Sequence, residues 1–146
     1  MRAHSGHSDL QRECLVTIGS LAYKSESRKA RLVKLGAGDA VVSALANHAD
    51  LSKVQEEGLW SAGNLSAGSE ALKARFFETR ISAAILHSLS SNCSNANVQK
   101  TGLICIGNLS NGSDARCDTF MGQGAALACV AALTTHAHNA DVQSYG

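Results

Sequence analysis

Histidine residues are the first candidates for chemistry in this chain, because imidazole is a common metal ligand. The sequence contains six of them, and two pairs stand close together, His4 with His7 and His136 with His138. However, His4, His48 and His136 are separated by multiples of 44 residues, and no cluster of carboxylates and cysteines accompanies them at the spacing of zinc ligands. We interpret them as structural residues of turns and predict no bound metal and no other cofactor.

The cysteines are the second candidates, as nucleophiles. They form neither a Cys-x-x-Cys pair nor an even set for disulfides: Cys14, Cys93, Cys105, Cys117 and Cys129. A catalytic thiolate requires a dedicated base and an oxyanion site, whereas a small apolar core residue requires neither. We therefore predict that all five cysteines are reduced and that Cys105, Cys117 and Cys129 are core residues, in an intracellular protein that is not an enzyme. The predicted compartment is the cytoplasm, with the nucleus as an alternative.

A third type of chemistry is the recognition of a main chain by asparagine. Trp60 and Asn64 stand four residues apart, and Ile104 and Asn108 repeat this spacing. An Asn amide carries a donor and an acceptor, so it can pair with the main chain of an extended peptide whatever its side chains, and exposed Trp residues are over-represented at binding hot spots. Alternatively, the Asn amides bond to neighbouring main chain and only hold the fold together.

Composition limits the classes of partner. The chain has 146 residues, 45% hydrophobic and 17% charged, which is enough apolar material for one compact core. Its formal net charge of +1 provides no field that would attract a polyanion, so we do not expect nucleic acid to be a partner. No apolar run approaches the roughly 18 residues that a membrane span needs, and we expect no membrane insertion.

The chain repeats itself. "VQEEGLWSAGNLSAGS" from Val54 and "VQKTGLICIGNLSNGS" from Val98 share ten of sixteen residues at a shift of 44. Pairs of a hydrophobic residue and Gln keep the same interval: Leu10-Gln11, Val54-Gln55, Val98-Gln99 and Val142-Gln143. This period is typical of units with two or three helices. We predict a single array with units at about 10–53, 54–97 and 98–141 and partial units at both ends.

Each unit has helical patterns. On the helix around Val54, the residues Gly58 and Leu65 share a face with it, whereas Trp60 and Asn64 lie on another. A second helix is predicted to begin after each of three N-cap serines: Ser25, Ser69 and Ser113. Strand-type alternation is absent, and so is Pro. The pattern predicts an all-α solenoid in which each unit contacts only its neighbours.

Glycine occurs inside the predicted helices, where it is less favourable than Ala by roughly 1 kcal/mol. We interpret Gly58 and Gly102 as sites where a neighbouring helix approaches closely, with sequence drift as the alternative. The glycines of another row are predicted to leave room along a surface: Gly19, Gly63 and Gly107.

These motifs carry a family resemblance. "VQEEGLWSAGNLSAG" resembles the third-helix signature of armadillo repeats, and "RFFETRISAAILHSL" resembles the first and second helices that follow it; the similarity covers about Leu10 to Gly146. Where the signature has Ala, this chain has Gly or Cys, and Arg80 replaces the Gly that follows the first helix in the other units. The resemblance to this family, which includes β-catenin and importin-α, implies a right-handed solenoid whose third helices line a concave groove.

Three rows of residues would line that groove: Arg12, Glu56 and Lys100; Val16, Trp60 and Ile104; Ser20, Asn64 and Asn108. In importin-α-like relatives the matching Trp and Asn hold a bound peptide, and the resemblance implies this role for Trp60 and Asn64. A receptor for nuclear localisation signals would carry several acidic residues along the groove, whereas the first row contains Glu56 alone.

The predicted function is therefore a protein-interaction scaffold that binds an extended peptide or a partner helix. The alternative is a structural spacer within a larger multidomain protein, such as one that contains a kinase or another enzyme. Residues 1–4 match the end of a second helix, and the chain stops within a third helix. We expect a piece of a longer array that self-associates end to end or is marginally stable, because solenoids need polar terminal units.

Overall fold

The computed structural model describes residues 5–146, and this part of the chain folds into ten α-helices without any strand. The predicted match of residues 1–4 to a helix end, and His4 with it, lies outside this range. The helices are α1 (Ser5–Ala22), α2 (Glu26–Lys34), α3 (Ala37–Asn47), α4 (Ser52–Ser66), α5 (Glu70–Phe77), α6 (Ile81–Ser91), α7 (Ala96–Ser110), α8 (Asp114–Gly122), α9 (Ala125–Thr135) and α10 (Ala140–Gln143). The prediction of an all-α fold is confirmed. None of these ten helices is both long and apolar enough to cross a membrane.

The serine caps are confirmed at two of their three positions. Ser25 accepts a hydrogen bond from the amide of Arg28, and Ser113 accepts one from the amide of Arg116. Ser69 is also an N-cap residue, but its side chain makes no capping bond. Instead, its own amide donates to Oε1 of Glu26 at 2.8 Å. The start of α5 is thus tied to α2 and not only to its own first turn.

A left-handed residue separates each of three short helices from the next one. Gly36, Arg80 and Gly124 have φ values of 87°, 63° and 93° and precede α3, α6 and α9. Only glycine adopts this conformation readily, because a Cβ crowds the following carbonyl oxygen. The Arg80 position therefore has the same backbone conformation as the glycines but carries the conformational penalty of a side chain.

The core is formed where helices from distant parts of the chain pack together. Helix α4 packs between α1 and α7, and α6 packs between α3 and α9. Polar side chains also cross between the long helices: Ser61 donates to the carbonyl oxygen of Leu15, and Cys105 donates to that of Leu59 at 3.2 Å. The largest fully buried side chains come from all layers of the molecule: Leu15, Leu45, Leu59, Phe76, Ile85, Leu109 and Phe120.

The recurring glutamines have a structural role. Nε2 of Gln55 donates to the carbonyl oxygens of Leu45 and His48, at 2.9 and 2.8 Å, and Ser88 donates to its Oε1. Gln99 and Gln143 bond in the same way to carbonyls ten and seven residues earlier. The last turn of a helix leaves its carbonyls without helical partners. Each glutamine supplies partners at the end of α3, α6 or α9.

The close-approach interpretation of the helical glycines is confirmed. A Cβ at Gly58 would lie 2.6 Å from Cδ2 of Leu45, and a Cβ at Gly102 would lie 2.6 Å from Cδ2 of Leu89. Both leucines are buried. Glycine is thus needed so that α4 and α7 can receive a leucine from the helix that precedes each of them.

Candidate functional site

A groove of about 520 Å³ runs between α4 and α7. It is lined by six of the nine residues that the sequence predicts for a binding surface: Glu56, Trp60, Asn64, Lys100, Ile104 and Asn108. The helical period explains why they converge, since residues four apart lie on the same face of a helix. Gly63 and Thr101 also line the groove and were not among the nine, although Gly63 had been predicted to leave room along a surface.

Trp60 is held at the edge of the groove by a glycine of α1. Its side chain is 39% exposed, and a Cβ at Gly19 would lie 2.5 Å from Cε3 of the ring. The room that the sequence predicts at Gly19 is therefore occupied by the indole. An aromatic side chain with one face supported and part of its surface exposed can bury further area when a ligand binds.

The two asparagines of the groove differ in their hydrogen bonding. Nδ2 of Asn108 lies 3.4 Å from the carbonyl oxygen of Gly63 and 3.5 Å from Oγ of Ser66, as the alternative interpretation of the asparagines predicts. Nδ2 of Asn64 is buried and has no hydrogen-bond partner among the residues that the structure describes. Most buried polar groups are hydrogen-bonded, so the Nδ2 group of Asn64 is an exception because it lacks a partner.

The charged residues of the groove are largely neutralised by neighbours. Glu56 accepts from Nζ of Lys53 at 3.1 Å and from Nδ2 of Asn95 at 2.9 Å. Lys100 pairs with Asp141 at 2.8 Å, and the hydrogen bond from Lys100 to this carboxylate raises the lysine pKa. Glu57 also lines the groove and has no ion pair within residues 5–146. The groove thus presents an aromatic ring and amides with little net charge.

The remaining three predicted residues lie on α1 and do not line this groove. Arg12 pairs with its neighbour Glu13 at 2.6 Å. Val16 is half-buried and Ser20 is exposed. Their helix packs against α4, but Trp60 lies over Gly19 between this part of α1 and the groove. The α4 and α7 members of each predicted row thus line one groove, and the α1 members do not.

His136 makes a contact that holds the fold together, as predicted for a structural residue. Nε2 of His136 lies 2.8 Å from the carbonyl oxygen of Cys93. Asn92 stands at the corresponding position one interval earlier, and its Nδ2 donates to the carbonyl of Ala49 at 3.1 Å. Within residues 5–146, no three side chains of His, Cys, Asp or Glu are grouped as metal ligands would be.

The cysteines differ in their surroundings. Cys105 is fully buried, and this desolvation raises the pKa of its thiol to about 12. It is thus protonated at neutral pH, as expected of a core residue. Partial burial also raises the pKa of Cys129. Cys117 and Cys129 are half-buried, so Cys105 is the one fully buried member of the three predicted core cysteines, and Cys14 and Cys93 are exposed thiols.

A second groove, which sequence analysis missed, lies between α6 and α9 and has a volume of about 530 Å³. Leu86, Ala128 and Leu127 are among its lining residues, and the Leu127 side chain is 76% exposed. The signal in the sequence is the α9 segment "AALACVAAL", which is apolar on more faces than one interface needs.

No protein-family model matches the chain, and no curated protein matches it. The function is therefore inferred from the groove between α4 and α7 and from its physical chemistry.

Proposed function

We propose that the protein is a peptide-binding scaffold of the armadillo-repeat type, in which an extended peptide lies in the groove between α4 and α7. The helix bounds support the repeat architecture, because α3, α6 and α9 begin 44 residues apart, as do α2, α5 and α8. Recurrent side-chain contacts support it as well, since each of Gln55, Gln99 and Gln143 bonds to equivalent carbonyls.

The observation that carries the proposal is the Nδ2 group of Asn64, a buried donor without a partner next to the exposed ring of Trp60. A buried donor that lacks an acceptor is unfavourable by about 1–3 kcal/mol. The Asn64 side chain lines the groove, so a rotation of its amide on binding would bring the buried Nδ2 to a peptide carbonyl, a part of the ligand that is the same in every sequence. The neighbouring Trp60 would contribute apolar contact area.

The experiment is a selection of peptides on the immobilised protein from a phage-displayed random dodecapeptide library. Selected peptides are titrated against the wild type, Trp60→Ala and Asn64→Ala, with circular dichroism as the check on folding. The proposal expects each variant to remain helical and to lose affinity by about tenfold, the equivalent of roughly 1.4 kcal/mol. Peptides that bind both variants as well as they bind the wild type would contradict it.

The second candidate is a structural spacer. It is favoured by the groove groups that are already engaged within the chain, namely Lys100 with Asp141 and Asn108 with Gly63. A spacer needs Trp60 only for its packing on Gly19, so Trp60→Ala should then lower the free energy of unfolding. Asn64→Ala removes a buried donor without a partner and should not lower it. The library should then yield no peptide whose affinity differs between the wild type and these two variants.

A further inference from the structure

We propose that the groove contains a slot above Gly63 that selects an aromatic side chain of the bound peptide. The slot is defined by Gly63 at its floor with Trp60, Ile104 and Thr101 around it. This inference rests on the proposed peptide-binding function and adds the class of side chain that the groove recognises.

The chain itself contains a filled example of such a slot. At Gly19 on α1, the six-membered part of the Trp60 indole occupies the space that a side chain would need, with Cε3 2.5 Å from the position of a Cβ. Oγ of Ser61 lies 3.1 Å from the same position. The helical backbone at a glycine, together with the next long helix, thus forms a recess that fits a planar ring.

The recess at Gly63 has the same construction without the ring. Gly63 lies 44 residues after Gly19, and the sulfur of Cys105, 44 residues after Ser61, lies 3.6 Å from the position of a Cβ at Gly63. Apart from the backbone of its own helix and its chain neighbours, no other described heavy atom lies within 4 Å of that position. The residue that corresponds to Trp60 is Ile104, whose side chain is too short to cover the glycine.

The open recess above Gly63 explains why a groove exists between α4 and α7 and which kind of side chain fits it. A ring that enters it would contact the glycine backbone from above and Trp60 from the side, in the offset or edge arrangement that aromatic pairs prefer. The main chain that carries this ring would pass beside Asn64, whose Nδ2 lacks an acceptor. The volume of about 520 Å³ falls within the usual range of ligand sites, roughly 300–1,000 Å³.

The test uses three blocked pentapeptides that are identical except at the central residue, which is Phe, Leu or Lys between glycines. Each is titrated into the ¹⁵N-labelled protein, and binding is followed through the amide of Gly63, the side-chain amide of Asn64 and the indole of Trp60. We expect the Phe peptide to bind about fivefold more tightly than the Leu peptide, because aromatic pairing adds to the contribution of buried area.

Two variants fill the slot. Gly63→Ala places a methyl group on its floor in ordinary contact distance of Cys105, and Ile104→Trp supplies the ring that Trp60 supplies at Gly19. The matched control is Gly107→Ala. Gly107 is an exposed glycine of α7, and a Cβ there would have no described atom from outside its own turn of helix within 4 Å. Both alanine variants should raise the midpoint of thermal unfolding, because Ala is the better helix former.

Only the slot-filling variants should lower the affinity for the Phe peptide, by about tenfold for Gly63→Ala if one aromatic contact is lost. Gly107→Ala should bind the Phe peptide as tightly as the wild type does. Equal affinities for Phe and Leu peptides, with shifts at Trp60 and Asn64, would overturn the aromatic slot and leave the peptide groove intact. An absence of shifts at all groove residues with all three peptides would overturn both proposals.

Discussion

Trp60 rests on Gly19, at a distance that no other amino acid at position 19 would permit. A Cβ there would lie 2.5 Å from Cε3 of the indole. This contact joins α4 to α1 and fixes the position of the ring at the edge of the groove. The only Trp of the sequence therefore reports directly on the groove.

Replacing the glycine under the ring should displace the indole without unfolding the protein. In Gly19→Ala the methyl group forces Trp60 away from α1, so we expect a red shift of the fluorescence emission as the ring becomes more exposed. Gly107→Ala, in which nothing lies near the new methyl group, should leave the emission unchanged. An unshifted spectrum in Gly19→Ala would contradict the contact.

The buried glutamine of α4 should matter far more for stability than its counterpart near the end of the chain. Gln55→Ala leaves the carbonyls of Leu45 and His48 and the hydroxyl of Ser88 without their partner. We expect a loss of roughly 3 kcal/mol in the free energy of unfolding. Urea denaturation measures this free energy. For the exposed Gln143→Ala we expect a loss below about 1 kcal/mol, and an equally small loss for Gln55→Ala would refute its structural role.

Alanine at the two kinds of helical glycine should have opposite effects. Gly58→Ala brings a Cβ to 2.6 Å from Leu45, and we expect a destabilisation of about 1–3 kcal/mol from overpacking. Gly107→Ala should instead stabilise the fold by up to about 1 kcal/mol, as the helix propensities predict. Combining Gly58→Ala with Leu45→Ala should be less harmful than the sum of the two changes. Additive effects measured by urea denaturation would argue against the contact.

The left-handed Arg80 offers a route to a more stable protein. Its φ of 63° matches the conformation of Gly36 and Gly124, so Arg80→Gly should raise the free energy of unfolding by about 1 kcal/mol. The reverse change, Gly36→Arg, should lower it by a similar amount, because a Cβ at Gly36 would have no described atom within 4 Å beyond its chain neighbours. Thermal unfolding of both variants distinguishes this effect from a loss of contacts by Arg80.

The ion pair between Glu70 and Arg116 should make stability depend on pH in the acidic range. Its N···O distance is 2.6 Å, and the hydrogen bond from Arg116 lowers the pKa of Glu70 below the ordinary value of 4.5. A carboxyl whose pKa is lower in the folded state stabilises the fold above its ordinary pKa and loses this contribution as the pH falls through the folded value.

Melting temperatures measured from about pH 6 to pH 3 should therefore fall more steeply for the wild type than for Glu70→Gln. The matched control is Glu78→Gln, at an exposed carboxylate without an ion pair within residues 5–146. A wild-type curve parallel to that of Glu70→Gln would show that the pair does not contribute. The effect should also decrease in high salt, because Glu70 is exposed.

The local structure could be predicted from the sequence because its causes are local. Helix starts at Ser25 and Ser113 depend on a side chain that bonds to an amide three residues away. The buried faces of α4 and α7 follow from the spacing of Val54 and Leu65 and of their counterparts. The same periodicity places Trp60 and Asn64 on a shared face, so six of the nine predicted residues line one groove.

The tertiary structure decided which of these residues remain available to a ligand. Asn64 and Asn108 occupy equivalent positions in the sequence, yet Asn108 bonds to α4 and Asn64 lacks a partner. Lys100 is neutralised by Asp141 on α10, and Gly19 is covered by Trp60 while Gly63 stays open. Such differences depend on the size and reach of side chains on other helices, and these are brought together only when distant segments pack. A repeated sequence therefore determines equivalent backbones, whereas the packed neighbours determine which equivalent sites can bind.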